Sequence, residues 1–74
     1  MTEHAAVRPS WTCTGCASAW PCHTRRQQLT AEYDGAVVAL SLYMVICFVE
    51  ASADLPHATV GVLYQRFLGW VRPR

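Results

Sequence analysis

Apolar side chains separate an N-terminal part of the chain without helical spacing from a remainder that has it. Residues 1–22 contain two prolines and no helical period, which indicates a loop or a short hairpin. The rest of the chain carries three apolar patterns typical of α-helices. We therefore predict an all-α fold in a single domain of residues 1–74, with an N-terminal knuckle over residues 1–23 and a three-helix mini-bundle over residues 24–74.

The first predicted helix covers residues 24–33. Thr24 and Gln27 have the spacing of a capping box, in which each side chain satisfies a backbone N–H group of the first turn. The pair Asp34-Gly35 then provides a stop signal. This segment is therefore expected to form a short helix between the knuckle and the central helix.

The last predicted helix covers residues 60–68, with Thr59 as its N-cap and Gly69 as its C-terminal stop. Its apolar side chains repeat at i, i+3, i+4, i+7 and i+8, from Val60 to Leu68. Such a stripe packs against one neighbour, so this helix is expected to lie against the central one.

The central predicted helix begins with the most apolar run, residues 36–49, and extends to residue 54 because Leu55 precedes Pro56. A run of 14 residues is shorter than the roughly 20 needed to cross a bilayer, so we expect no membrane span. The helix presents two apolar sides. One carries Val38, Leu42, Ile46 and Val49, and the other carries Leu40, Met44, Cys47 and Phe48.

A helix with two apolar sides needs cover on both. The last helix supplies one cover, but the first helix carries mainly Leu29 and Tyr33, which is too little for the other side. We therefore expect a homodimer or a protein partner that binds the apolar helix 36–54. The contact would use Leu40, Met44 or Phe48, or their counterparts on the opposite side.

Composition narrows the class of protein. Hydrophobic residues make up 53% of the chain and charged residues 15%, which is too apolar for a disordered tail. Trp11 and Trp20, followed by Arg25 and Arg26, resemble a surface that stacks nucleic-acid bases. A net charge of +1 gives no strong field to attract nucleic acid, so we interpret the tryptophans as packing residues of the knuckle and expect no nucleic-acid partner.

The N-terminus shows no apolar segment behind a basic one, so no secretory signal is predicted and a cytoplasmic location is expected. In that reducing compartment, clustered cysteines are metal ligands more often than disulfides. Cys13 and Cys16 are spaced so that both sulfurs can bind one ion from a tight turn, for which Gly15 supplies backbone freedom. Cys22 precedes the first helix, whose dipole should lower the pKa of the thiol.

Three thiolates suit Zn²⁺, and a closed structural zinc site needs a fourth ligand. His4 lies nine residues before the first cysteine, on an arm that can fold back over the metal, and is favoured. His23 adjoins Cys22 and would point away from it. Cys47 is expected in the apolar core, and His57 follows a proline in a loop, but both remain alternatives.

An enzyme is not expected. The sequence contains no phosphate-binding glycine loop, no paired carboxylates and no HExxH motif, and so small a core leaves little concave surface. The sequence thus favours a small zinc-stabilised, non-enzymatic interaction or regulatory accessory protein.

Three stretches of the chain together resemble a group of small actinobacterial proteins: HAAVRPSWTCTGCASAWPC, EYDG and ADLPHATVGVLYQRFLGWVR. The shared opening is H…RPxWxCxxCxxxWPC, the shared ending is RFLGW, and the likeness covers nearly the whole chain. The resemblance favours His4, Cys13, Cys16 and Cys22 as the metal set. Such proteins often carry the label flavin reductase, so a small flavin-linked reductase is also implied, although no flavin phosphate site is visible.

The spacing C-x2-C-x5-C is also similar to that of the last three cluster cysteines in WhiB-like iron–sulfur regulators. This chain lacks their upstream cysteine and their glycine-tryptophan-glycine-glycine turn. The likeness implies, as an alternative, an iron–sulfur cluster with His4 as a substitute ligand. The function would then be that of a redox- or metal-responsive regulator.

Overall fold

The structure, a computed structural model, describes residues 3–72. Two short strands precede three helices along the chain. The elements are β1 (Ala6–Val7), β2 (Thr12–Cys13), α1 (His23–Glu32), α2 (Val37–Asp54) and α3 (Val60–Phe67). The three predicted helices are confirmed, but a purely α-helical fold is not, because the N-terminal part contains a small sheet.

The sheet is an antiparallel hairpin in which Ala6 lies opposite Cys13 and Val7 lies opposite Thr12. Backbone polar groups of this segment pair with one another across the hairpin and its turn. The Trp11 amide, for example, donates to the Val7 carbonyl at 2.6 Å. The hairpin brings the chain before β1 alongside the first cysteine.

Helix α1 begins one residue earlier than predicted. Cys22 is its N-cap, and the Cys22 sulfur accepts a hydrogen bond from the Arg25 amide at 3.4 Å. The predicted capping box of Thr24 and Gln27 is therefore wrong, because the helix already includes Thr24. The stop is confirmed, since Gly35 has a φ of 76°, which favours glycine.

Helices α2 and α3 pack against each other, as predicted. α3 buries Leu63 and Phe67, whereas Val60 and Tyr64 of its predicted stripe are exposed. The Thr59 hydroxyl accepts from the Val62 amide at 3.2 Å, which confirms the N-cap. α2 buries one of its two apolar sides and exposes the other. The buried side carries Leu40, Met44, Cys47 and Ala51.

Two tryptophans join the hairpin to the helices. Trp11 and Trp20 are each 3% exposed, and their rings lie 5.4 and 6.1 Å from the ring of Phe67 in α3. The prediction that they are packing residues is confirmed. Arg66 adds polar contacts, since its guanidinium donates to the Trp11 carbonyl at 2.6 Å and to the Trp20 carbonyl at 2.8 Å.

The end of α2 is tied to the N-terminal part by Asp54. Its carboxylate accepts from the Arg8 guanidinium at 2.6 Å and from the Trp11 indole N–H at 2.8 Å. The hydrogen bond from Arg8, and then that from Trp11, hold the pKa of Asp54 below its usual range. Arg8 also forms an exposed ion pair with Glu50 at 3.1 Å.

Helix α2 is longer than its apolar run. It has 18 residues and a mean hydropathy of 1.8, with 22% of its residues buried, so its length and composition alone are sufficient for a membrane span. A helix in the core of a soluble protein can have the same length and composition, although most of such a helix is buried. The expectation of no membrane span, like that of a cytoplasmic location, stays a prediction.

Candidate metal centre

The structure brings His4, Cys13, Cys16 and Cys22 together. One ligand atom from each residue lies within 4.8 Å of the other three, so the group could hold a metal ion. His4 comes from the segment before β1, Cys13 ends β2, Cys16 lies in the following turn, and Cys22 caps α1. Four separate pieces of local structure therefore meet at one point.

The spacing of three of these atoms suits a single tetrahedral ion. The sulfurs of Cys13 and Cys22 are 3.7 Å apart, and His4 Nδ1 lies 3.1 Å from the first and 3.3 Å from the second. Zn–S bonds of about 2.3 Å in a tetrahedral site place two sulfurs about 3.8 Å apart. A disulfide would require about 2.05 Å, and all four cysteines are free.

Burial at the centre is uneven. Cys13 and Cys22 are 2% and 6% exposed, whereas Cys16 is exposed to solvent. The Trp20 indole N–H donates to the His4 carbonyl at 3.0 Å, which fixes the arm that carries the histidine. This positioning role of Trp20 could not be predicted from the sequence, because no spacing rule relates a tryptophan to a carbonyl 16 residues earlier.

Backbone N–H groups point at the two buried sulfurs. The Gly15 amide lies 3.3 Å from the Cys13 sulfur, and the Arg25 amide lies 3.4 Å from the Cys22 sulfur. Such donors stabilise the thiolate form, which is the form that binds metal. The CxxC turn and the start of α1 therefore supply both the ligands and their supporting hydrogen bonds.

The thiols differ in acidity. Hydrogen bonds from the backbone and the side chain of Ser18 lower the pKa of Cys16 to about 6. For Cys22, burial outweighs the hydrogen bond from the Arg25 amide and raises its pKa. The predicted lowering at Cys22 by the helix dipole is therefore wrong, and the exposed Cys16 thiol ionises more readily than the buried Cys22 thiol.

Gly15 is required at the centre for a reason other than the predicted backbone freedom, since its φ is not among the positive values found in the chain. A Cβ atom at this position would lie 2.5 Å from the Glu3 carbonyl oxygen and 2.9 Å from the His4 ring. Glycine thus permits the close approach of the histidine arm to the CxxC turn.

The substitution Gly15→Ala should displace His4 and lower zinc affinity by about 10- to 100-fold, the range found for changes that support metal ligands indirectly. Gly61→Ala is the matched control, because nothing lies within 4 Å of a Cβ atom there. It should leave zinc affinity unchanged. Competition with a chromophoric chelator measures both affinities, and equal affinities for the two variants would contradict the role of Gly15.

The alternative fourth ligands lie elsewhere in the described part of the chain. His23 is exposed at the start of α1, and His57 is exposed in the turn after α2. Cys47 is buried in α2, where burial raises its pKa. Among residues 3–72, the group close enough to share an ion contains His4 and none of these three.

A cleft of about 640 Å³ lies beside the centre, between the histidine arm, α1 and α2. Its walls include Arg25, Tyr43 and Cys47. The cleft could not be predicted from the sequence, because its three walls come from segments far apart along the chain. Arg25 pairs there with Glu32 at 3.2 Å, so its charge is already compensated.

The chain's resemblances to small actinobacterial proteins and to WhiB-like regulators, together with the flavin reductase label, stay predictions. Comparisons with family models, with curated proteins and with solved structures find no match to this chain.

Proposed function

We propose that this chain is a small zinc-stabilised, non-enzymatic interaction or regulatory accessory protein. One Zn²⁺ bound by His4, Cys13, Cys16 and Cys22 would be its structural ion. The observation that carries the proposal is the convergence of three thiols and one imidazole within 4.8 Å at the junction of the hairpin and α1. Thiolate and imidazole ligands select Zn²⁺ over the hard cations Mg²⁺ and Ca²⁺.

The number of ligands supports a structural rather than a catalytic ion. A catalytic zinc keeps one position open for water or substrate and takes three protein ligands, whereas a structural zinc takes four. Here four ligands are available, and two of the sulfurs are buried. The ion would crosslink the histidine arm, β2, the CxxC turn and the start of α1.

The distance between the two buried sulfurs favours a single ion over a four-iron cluster. Cluster cysteines each bind a different iron at the corners of a cube, so their sulfurs stand farther apart than the ligands of one tetrahedral ion. The observed 3.7 Å matches the shorter spacing. A redox-responsive regulator is the second candidate, because the exposed position of Cys16 leaves one ligand open to oxidants.

Elemental analysis of the purified protein tests the metal. We expect one zinc per chain and colourless protein, because Zn²⁺ has no visible absorption. His4→Ala should lower zinc affinity, whereas Cys47→Ser should retain one zinc per chain, since Cys47 lies outside the group of four. Iron with a visible chromophore would favour the redox regulator, and protein without bound metal would contradict the proposal.

A further inference from the structure

The exposed side of α2 carries an unbroken apolar seam. Val38, Leu42 and Val49 are 71%, 61% and 60% exposed, and Val45 between them is 40% exposed. These four residues follow one another at intervals of four, three and four positions. This is the spacing with which two helices pack along a shared seam. Among the described residues, both charged side chains of α2, Glu50 and Asp54, lie away from it.

We propose that this seam, Val38–Leu42–Val45–Val49, is the interface through which two copies of the chain pair. Intervals of four, three and four read the same in both directions along the helix. In an antiparallel pair, Val38 therefore meets Val49 of the second copy, and Leu42 meets Val45. Such a self-complementary surface is what a twofold symmetric interface requires. None of the seam residues belongs to the metal centre, so pairing through the seam does not depend on the ion.

The size of the surface fits a weak, reversible dimer. Together with Ile46, which is 60% exposed, the seam offers the surface of about three fully exposed side chains per copy, or on the order of 300 Å². A homodimer interface is about 65% apolar, so two copies would bury roughly 900–1,000 Å² in total. That area is close to the lower limit of about 1,000 Å² for a specific contact.

A second copy accounts for the seam better than a lipid bilayer does. Helices that lie in a membrane surface carry Lys or Arg on their polar side. The described structure of α2 contains neither, and its charges are the acidic Glu50 and Asp54. Both acidic groups pair with Arg8, at 3.1 and 2.6 Å, so a spanning orientation would place this ion-pair cluster in or against lipid.

Sedimentation equilibrium of the zinc-loaded full chain, from low micromolar to millimolar concentration, tests the inference. We expect a monomer–dimer equilibrium with a dissociation constant in the micromolar range. Leu42→Glu places a carboxylate in both halves of the interface and should weaken pairing by at least ~100-fold. Val62→Glu is the matched control, since Val62 is 60% exposed, close to the 61% of Leu42, but lies on α3.

The control variant should have a dissociation constant within about twofold of the wild-type value, because substitutions outside an interface have little effect on pairing. Circular dichroism would show that both variants keep their helix content. Three results would overturn the inference. In the first, the wild-type chain stays monomeric over the whole concentration range. In the second, both substitutions weaken pairing equally. In the third, the wild-type chain co-sediments with phosphatidylcholine vesicles and the Leu42→Glu variant does not.

Discussion

Withdrawal of the metal should unfold the N-terminal third of the protein. Structural zinc contributes about 10–16 kcal/mol of apparent binding free energy to small zinc-finger peptides at neutral pH, and that binding energy is also folding energy. In this chain, residues 3–22 form only two strands of two residues each. Without the ion, little remains to offset the entropy of ordering this segment.

Tryptophan fluorescence reports the loss directly. Trp11 and Trp20 are each 3% exposed in the folded protein, so their emission should shift to longer wavelength when a strong chelator is added. Cys13→Ser should reproduce the shift without chelator, and Cys47→Ser should not. Re-addition of zinc to the wild-type chain should restore its original emission spectrum. Unchanged emission after complete metal removal would show that the ion does not hold the fold.

Phe67→Ala should destabilise the protein as a whole. Phe67 is 0% exposed, packs with the rings of both tryptophans, and belongs to the same core cluster as the buried side of α2. Truncation of a buried phenylalanine costs about 3–5 kcal/mol. A domain of 74 residues has a total stability of roughly 4–11 kcal/mol, so this one change removes much of it.

The matched control for this change is Tyr64→Ala, on the same helix, because Tyr64 is 52% exposed. This substitution should change the free energy of unfolding by about 0.5 kcal/mol at most, as most surface substitutions do. Urea unfolding in the presence of excess zinc measures both variants, so that metal loss does not add to the result. Equal urea midpoints of unfolding for the two variants would contradict the contribution of Phe67 to the stability of the core.

Local patterns along the chain were sufficient to predict the three helices. The stop at Gly35 and the N-cap at Thr59 rest on backbone chemistry within a few residues, which a sequence displays directly. The capping box at Thr24 failed because Cys22, a residue outside the usual set of N-caps, begins the helix.

The two sides of α2 were also predictable, but not which side would be covered. That choice depends on where α3 and the tryptophans pack, and these contacts join residues far apart in the chain. For residues 1–22 the sequence indicated a loop or a short hairpin, and the sheet itself could not be predicted for a different reason. Its strands have two residues each, too few to show an alternating pattern.

For the metal centre, spacing alone indicated three ligands and left the fourth open. His4 joins them because the hairpin folds its arm back beside the CxxC turn, where Gly15 leaves room for the ring. The pKa shifts of the Cys16 and Cys22 thiols could not be predicted from the sequence. They depend on the burial of Cys22 and on the hydrogen bonds of Ser18 to Cys16, which exist only in the folded chain.

The dual position of Cys22 has a consequence for the order in which parts of the protein open. The same sulfur caps α1 and belongs to the group of four, while α1 buries only Leu29 and has no acidic residue in its first turn. A helix of ten residues with so few supports is marginal in isolation. The amide protons of α1 should therefore exchange with solvent together with those of the hairpin, as one cooperative unit. Those of α2 and α3 should exchange more slowly, as a second unit.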